Sequence, residues 1–308
     1  MLLVVSGHLL TGSFVPNWYS VTVRDFIYSF HMALFFFISG FLAGYSLRPI
    51  HSLEDYWGYI GKKFKKFFIP FIVFGFVCLA LSLYHQGYSA EKLCSGIINL
   101  FIAPRASHSG YLWYIYLLFV FYCLLPCFFR KEPWSEIFFA CVALWLVIFP
   151  IPTNIFSLDH FSHFFFFFLL GTIGARHFDV VRKIRPMIFI AGVCTFILWG
   201  FYIAFLGCAP YHFGAGLLSI PVCAALACFV QRFQFISKVL TQISVNCFWI
   251  YLMHLFVIQL CAATVDRLRF PMEKYFAPYA ICVICLATAV PIWMRKLYLS
   301  HMDIKGRN

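Results

Sequence analysis

Apolar residues run unbroken along most of this chain instead of alternating with polar ones. Runs long enough to cross a lipid core, allowing for tilt, fall near 26–47, 67–84, 111–129, 136–150, 161–175, 187–206, 212–230, 240–263 and 277–294. The runs at 136–150 and 161–175 are among the shorter ones. Residues 92–103 carry a pattern that predicts an amphipathic or re-entrant helix, not a span. The chain opens in an apolar stretch from Met1 to about Val15. As a helix this stretch covers about 22 Å of a core roughly 30 Å thick. Counting it as a short first span gives about ten. Its shortness, with no basic residue ahead of it, predicts a first helix that starts upstream of Met1. The expected fold is therefore an all-α integral membrane protein: a polytopic bundle of about ten transmembrane helices, the first truncated, in one domain over 1–308. The Phe164–Phe168 run is read as lipid-facing or packing surface.

Composition agrees with that pattern and removes other classes. With 63% hydrophobic, 21% aromatic and 11% charged residues, the chain is no soluble domain. A net charge of +12 would suggest nucleic acid in a soluble protein; here basic loops facing the cytoplasm account for it, and no nucleic acid is expected. Placing the N-terminus inside puts Arg48, the Lys62–Lys66 patch, Arg130, Lys131, Arg176, Arg182, Lys183 and Arg185 on the cytoplasmic side. Arg232, Lys238, Arg295, Lys296, Lys305 and Arg307 join them, leaving Arg24, Lys92, Arg105, Arg267, Arg269 and Lys274 outside. This bias predicts an even number of spans with both termini in the cytoplasm. The 13 cysteines are scattered through apolar runs without a disulfide or zinc framework, and Cys282 and Cys285 read as packing thiols.

Three histidines lie inside predicted spans: His8, His31 and His254. A titratable group in lipid is costly and usually faces a site inside the bundle. His8 and His31 fall within a few residues of the outer surface, and His254 lies about 12 Å below the outer end of its helix. Three imidazoles at one level suit a proton relay, an acid–base site or, less readily, a metal site. A lone buried histidine is otherwise a structural hydrogen-bonder. All eleven acidic residues fall in loops or at span borders, which weakens a coupled transporter, whose carboxylates commonly sit mid-membrane. Asp159, His160 and His163 are read as a solvated span entrance in preference to a metal site, and no metal is expected. Trp18, Tyr19, Trp57, Tyr59 and Tyr275 are read as interfacial aromatics. No nucleophile elbow, P-loop or dinucleotide fingerprint occurs.

Lys62-Lys63-Phe64-Lys65-Lys66 stands directly before the span that opens at Phe67-Phe68-Ile69-Pro70. It reads either as a topogenic patch binding lipid headgroups or as a phosphate site for an anionic cosubstrate. Lysine serves phosphate as a point charge and lacks the bidentate fork of arginine.

Several segments resemble the membrane acyltransferase-3 family. Phe30-His31-Met32-Ala33-Leu34-Phe35-Phe36-Phe37-Ile38-Ser39-Gly40 is similar to FHMPLFFFISG of its fucose O-acetylase-like branch, with Ala33 in place of proline. Ser6-Gly7-His8 after Val4-Val5 resembles the first-helix VVxGH, Leu112-Trp113-Tyr114-Ile115 through Pro126 resembles LWFL…P, and Ile250 to His254 resembles IYLxH. Lys63 and Lys66 match the two arginines of an R-x-x-R element that runs into an Ile-Pro or Leu-Pro span. The family also places a basic residue eleven positions before its histidine, a position ahead of Met1 here.

The resemblance implies an inner-membrane O-acetyltransferase that uses acetyl-CoA or another acyl-CoA as donor. The implied acceptor is a hydroxyl of a cell-envelope glycan or a lipid-linked sugar. On that reading His8 is the general base, and His31 orients it or binds substrate. Lys63 and Lys66 hold the donor phosphates, Trp113, Tyr251 and His254 line the acceptor side, and Ser39 or backbone amides serve the oxyanion. The competing readings are a glycan or lipid transporter or flippase and a truncated, inactive acyltransferase.

Overall fold

In a bilayer, backbone N–H and C=O groups must be satisfied within the chain, so long apolar runs fold as helices. The computed structural model describes residues 1–11, 17–47, 50–128, 133–183, 185–206, 213–269 and 272–305, and no strand occurs among them. In chain order the helices are α1 (Leu2–Leu9), α2 (Asn17–Ser46), α3 (Leu53–Lys63), α4 (Ile69–Gln86), α5 (Ala90–Ile102), α6 (Trp113–Phe128) and α7 (Pro133–Ile148). They continue as α8 (Leu158–Arg176), α9 (Phe178–Lys183), α10 (Arg185–Leu206), α11 (Phe213–Val230), α12 (Gln234–Val245), α13 (Cys247–Leu268) and α14 (Met272–Lys305). Seven segments among the described residues are long and apolar enough to cross a membrane, and 134–148 and 190–201 are shorter apolar helices. The chain is an all-α, multi-pass membrane protein. Its run at 161–175 forms a full-length candidate, Ile155–Arg176.

By its contacts the chain divides into two units: Met1–Met32 with Pro186–Asn308, and Ala33–Arg185. In the first, α1 packs against α13 and α14, burying Val5 and Leu9 with Ile250, Ile258, Val283 and Ala287. A methyl on Gly7 would come 3.2 Å from the Tyr28 ring and 3.6 Å from Ile27, so the bare glycine lets α1 lie close to α2. Asn246 breaks the chain between α12 and α13, and Arg295 of α14 pins the break. Its Nη1 donates to Asn246 Oδ1 at 2.7 Å and to the Val245 carbonyl at 3.2 Å.

In the second unit the ring contacts give the helix directions. Tyr116 meets Phe71, Phe119 meets Phe68, and Tyr122 meets Phe67, so α6 runs antiparallel to α4. On α2, Phe36 stacks on Phe164, Gly40 lies against the Phe168 backbone, and Gly44 lies against Thr172. Both numbers rise together, so the second half of α2 is parallel to α8. Glu136 near the start of α7 pairs with Arg176 at the end of α8, at 2.6 Å, making those two antiparallel. These directions alternate along the chain as successive spans must.

Three details refine the sequence reading. The span read as 67–84 is the far end of one continuous helical path from Leu53 to Gln86, opened by a capping box between Ser52 and Asp55. A π-helical turn, Phe64–Phe68, interrupts it at the lysine patch. In the phenylalanine run, Phe164, Phe165, Phe167 and Phe168 are buried, so it is packing surface and not a lipid face. Exposed apolar side chains include those of Trp145, Phe149, Phe196 and Leu198. Residues 92–103 do form a non-spanning helix, α5, which lies antiparallel along α4 with Gly96 against Leu79 and Gly75 against Leu100.

Candidate functional site

α1 presents His8 one residue before its end, and α13 presents His254 from the same packed face that carries Ile250 and Ile258. The two imidazoles lie with ring centroids 5.2 Å apart and planes inclined at 48°. Tyr28, three residues before His31 on α2, links the remaining histidine to this pair. Its ring stands edge-on to His8 at 6.4 Å and to His31 at 5.0 Å. Tyr251 lies 5.9 Å from His254 on α13. His31 and His254 are buried, and His8 is half-buried.

Hydrogen bonds select the tautomers of two of these rings. His31 Nδ1 is 2.8 Å from the Ile27 carbonyl. His254 Nδ1 is 2.7 Å from the Tyr251 carbonyl and 3.2 Å from that of Ile250. A carbonyl only accepts, so each Nδ1 must carry the proton, and each neutral ring has its lone pair on Nε2. The His8 ring makes no hydrogen bond among the described residues. Its own carbonyl accepts from the Thr11 hydroxyl at 2.6 Å. A neutral imidazole can accept a proton at its unprotonated nitrogen and return it, which is the chemistry this set of rings offers.

The other sequence-predicted residues belong to the Ala33–Arg185 unit. Ser39 Oγ is 2.7 Å from the Tyr114 hydroxyl. Trp113 is buried between Phe36, Phe164 and His160. Lys63 extends its ammonium over the ring of Tyr122 at 4.0 Å and over that of Tyr59 at 5.2 Å, an aromatic cradle for a cation. Lys66 lies 5.2 Å from the Phe67 ring. The Tyr59 hydroxyl is buried and makes no hydrogen bond among the described residues, while Trp57 nearby is exposed. The side chains of Trp18 and Tyr19 lie outside the described residues.

Within the segment read as a solvated entrance, the His160 ring is itself enclosed. Its Nδ1 pairs with Asp159 at 2.7 Å, and Arg105 contacts its Nε2. No group of three or more metal-ligating side chains is assembled among the described residues.

Sequence reasoning missed Tyr28, Tyr122 and Arg105. Tyr28 had a signal in its spacing of three from His31, which places both on one helical face. Tyr122 had none, because only the fold brings it over a lysine 59 positions earlier.

Neither the curated proteins nor the solved structures contain a match to this chain. A family model described as an acyltransferase domain, that of the acyltransferase-3 family, matches residues 1–296. The match takes in α1 with His8, the lysine patch and α13 with His254. With that coverage and its apolar spans, the chain belongs to the acyltransferase-3 family of membrane acyltransferases.

Proposed function

We propose that this protein is an O-acyltransferase of the bacterial inner membrane, of the fucose 4-O-acetylase-like branch, with both termini cytoplasmic. It takes an acyl group, acetyl in the simplest case, from acyl-CoA. It delivers the group to a hydroxyl of a cell-envelope glycan or a lipid-linked sugar. The observation that carries this reading is the pairing of His8 with His254 at 5.2 Å inside a chain of this family.

A sugar hydroxyl attacks a thioester poorly until a base removes its proton. His8 is that base. As the hydroxyl oxygen bonds to the thioester carbonyl carbon, the His8 imidazole takes the hydroxyl proton. Collapse of the tetrahedral intermediate breaks the C–S bond, and the proton leaves with the CoA thiol. His254 and Tyr28 border the ring that becomes charged, and His31 stands beyond Tyr28. Lys63 and Lys66 hold donor phosphates at the cytoplasmic mouth, with Lys63 fixed by Tyr122 and Tyr59. Ser39, Trp113, Tyr251 and His254 serve the substrates, and Ser39 is oriented by Tyr114.

The test is transfer of labelled acetyl groups from acetyl-CoA to envelope glycan in membranes carrying the wild type or His8→Ala. Label that depends on His8 in an inserted, folded protein supports the enzyme. Equal labelling by the His8→Ala protein would remove His8 from the chemistry.

A further inference from the structure

The Ala33–Arg185 unit holds, beside Trp113, a second polar cluster whose polar groups none of the roles above employs. α5 descends alongside α4, the chain turns at Ala103, and a non-helical stretch with two short 3₁₀ turns leads into α6. The register fixes the depth of this stretch. Tyr111 reaches Cys78 at 3.9 Å and His108 Nδ1 reaches the Ser82 hydroxyl at 3.1 Å, yet α4 continues to Gln86. Tyr111 therefore lies about 12 Å short of the end of α4 that is opposite the lysine patch. Trp113 starts α6 at that depth, and His160 sits 4.6 Å from its ring. Irregular backbone at such depth is tolerated where it is buried in protein or lines a water-filled cavity. Arg105 on this stretch is exposed, so the stretch is not sealed within protein.

The groups at the cluster carry both signs. Arg105 contacts His160 on one side, and Asp159 Oδ2 pairs with it on the other. Two buried polar atoms of this cluster make no hydrogen bond to any described residue: Asp159 Oδ1 and the Ser157 hydroxyl. Ser157 is the telling one. It occupies the N-cap position of α8, where a serine ordinarily accepts from the helix backbone, yet it makes no cap bond. The short turn that carries Ser157 packs against the turn that carries Arg105. A buried hydroxyl and a buried carboxylate oxygen left without partners are costly unless something else meets them.

We propose that Arg105, Ser157, Asp159 and His160, walled by Trp113, form a binding site for the hydroxyls of a neutral sugar. The site opens from the end of α4 opposite Lys62–Lys66. Asp159 disfavours an anion and Arg105 disfavours a cation. A neutral polyol offers donors to Asp159 and Ser157 and acceptors to Arg105. The site rests on the acyl-acceptor reading above and supplies that acceptor with a place in this unit.

The experiment is saturation-transfer NMR on the full chain in lipid nanodiscs. The probes are methyl glycosides of a hexose, a 6-deoxyhexose and an N-acetylhexosamine, with inorganic phosphate as a further probe. At least one glycoside should give a saturable signal, weakened about tenfold in affinity by Asp159→Asn and by Ser157→Ala. Ser157→Ala removes an unsatisfied buried hydroxyl, so it should fold at least as well as the wild type. His8→Ala should keep glycoside binding while losing transfer. No saturable glycoside, binding indifferent to both substitutions, or binding of phosphate alone would overturn the site. Glycoside binding with these sensitivities in a protein that transfers no acyl group would leave the site standing and remove the enzyme reading.

Discussion

His254 turns its Nδ1 toward the carbonyls of Tyr251 and Ile250 and its ring toward His8, 5.2 Å away between centroids. The backbone thereby fixes both the tautomer and the angle of a ring bordering the proposed base. If His8 takes the proton, His8→Ala should lower kcat by about 10²–10⁴-fold. His254→Phe keeps a ring in the packing but removes its nitrogen atoms. It should lower kcat by about tenfold and leave the KM for acyl-CoA unchanged. Steady-state transfer by both variants at varied donor concentration checks this. An elevated donor KM in His254→Phe would place that ring on the donor path.

Lys63 is held over Tyr122 at 4.0 Å, and that contact should matter to donor binding more than to the chemical step. Tyr122→Leu frees the ammonium and should raise the KM for acyl-CoA by up to about tenfold with kcat nearly unchanged. Lys63→Gln removes the charge and should raise it further, with a flatter dependence on salt. Donor KM measured at two ionic strengths separates the loss of orientation from the loss of charge.

Arg295 ties the start of α13 through Asn246 and Val245, eight residues ahead of His254. Arg295→Ala leaves Asn246 without that donor and should cost about 1–3 kcal/mol of stability. Because α13 carries His254, kcat should fall several-fold while donor KM holds. Arg295→Lys restores the charge but reaches only one of the two acceptors, so it should recover part of the loss. Thermal unfolding of the purified protein together with kcat for both variants provides the check.

The spans and the histidine pair were legible because each is written locally. An apolar run of span length has one backbone solution in lipid, and His8 and His254 stood out as titratable groups inside such runs. The alternation of directions in the Ala33–Arg185 unit follows from the same constraint. What stayed hidden depends on contacts between distant segments. The lysine patch shows its charge in sequence, but the Tyr122 ring beneath Lys63 is set by how α6 crosses the π-helical turn. Asp159 and His160 read as a wet loop because a carboxylate opens the run. The burial of His160 follows from the non-helical segment before α6, which brings Arg105 and Trp113 to it. The phenylalanine run at 164–168 is ambiguous for a similar reason. Phenylalanine suits both lipid and core, and only the close approach of α2 selects core for four of the five residues.

That approach is the most sharply testable packing feature. Gly40 and Gly171 let the backbones of α2 and α8 touch, Gly40 against the Phe168 carbonyl and Gly171 against that of Phe37. The Thr172 hydroxyl bonds to the Gly40 carbonyl at 3.0 Å and to the Phe168 carbonyl at 2.9 Å. Small residues drive helix pairing in lipid by allowing this proximity. A Cβ at either glycine would meet main-chain atoms that cannot rotate aside, so the helices must separate. Gly40→Ala or Gly171→Ala should cost about 3 kcal/mol or more. Thr172→Val keeps the shape and removes the hydroxyl, which should cost only about 1 kcal/mol. The order is the diagnostic result. In thermal-shift measurements on detergent-solubilised protein, both alanine variants should melt well below Thr172→Val. Alanine variants that melt with the wild type would mean that α2 and α8 do not pack backbone to backbone.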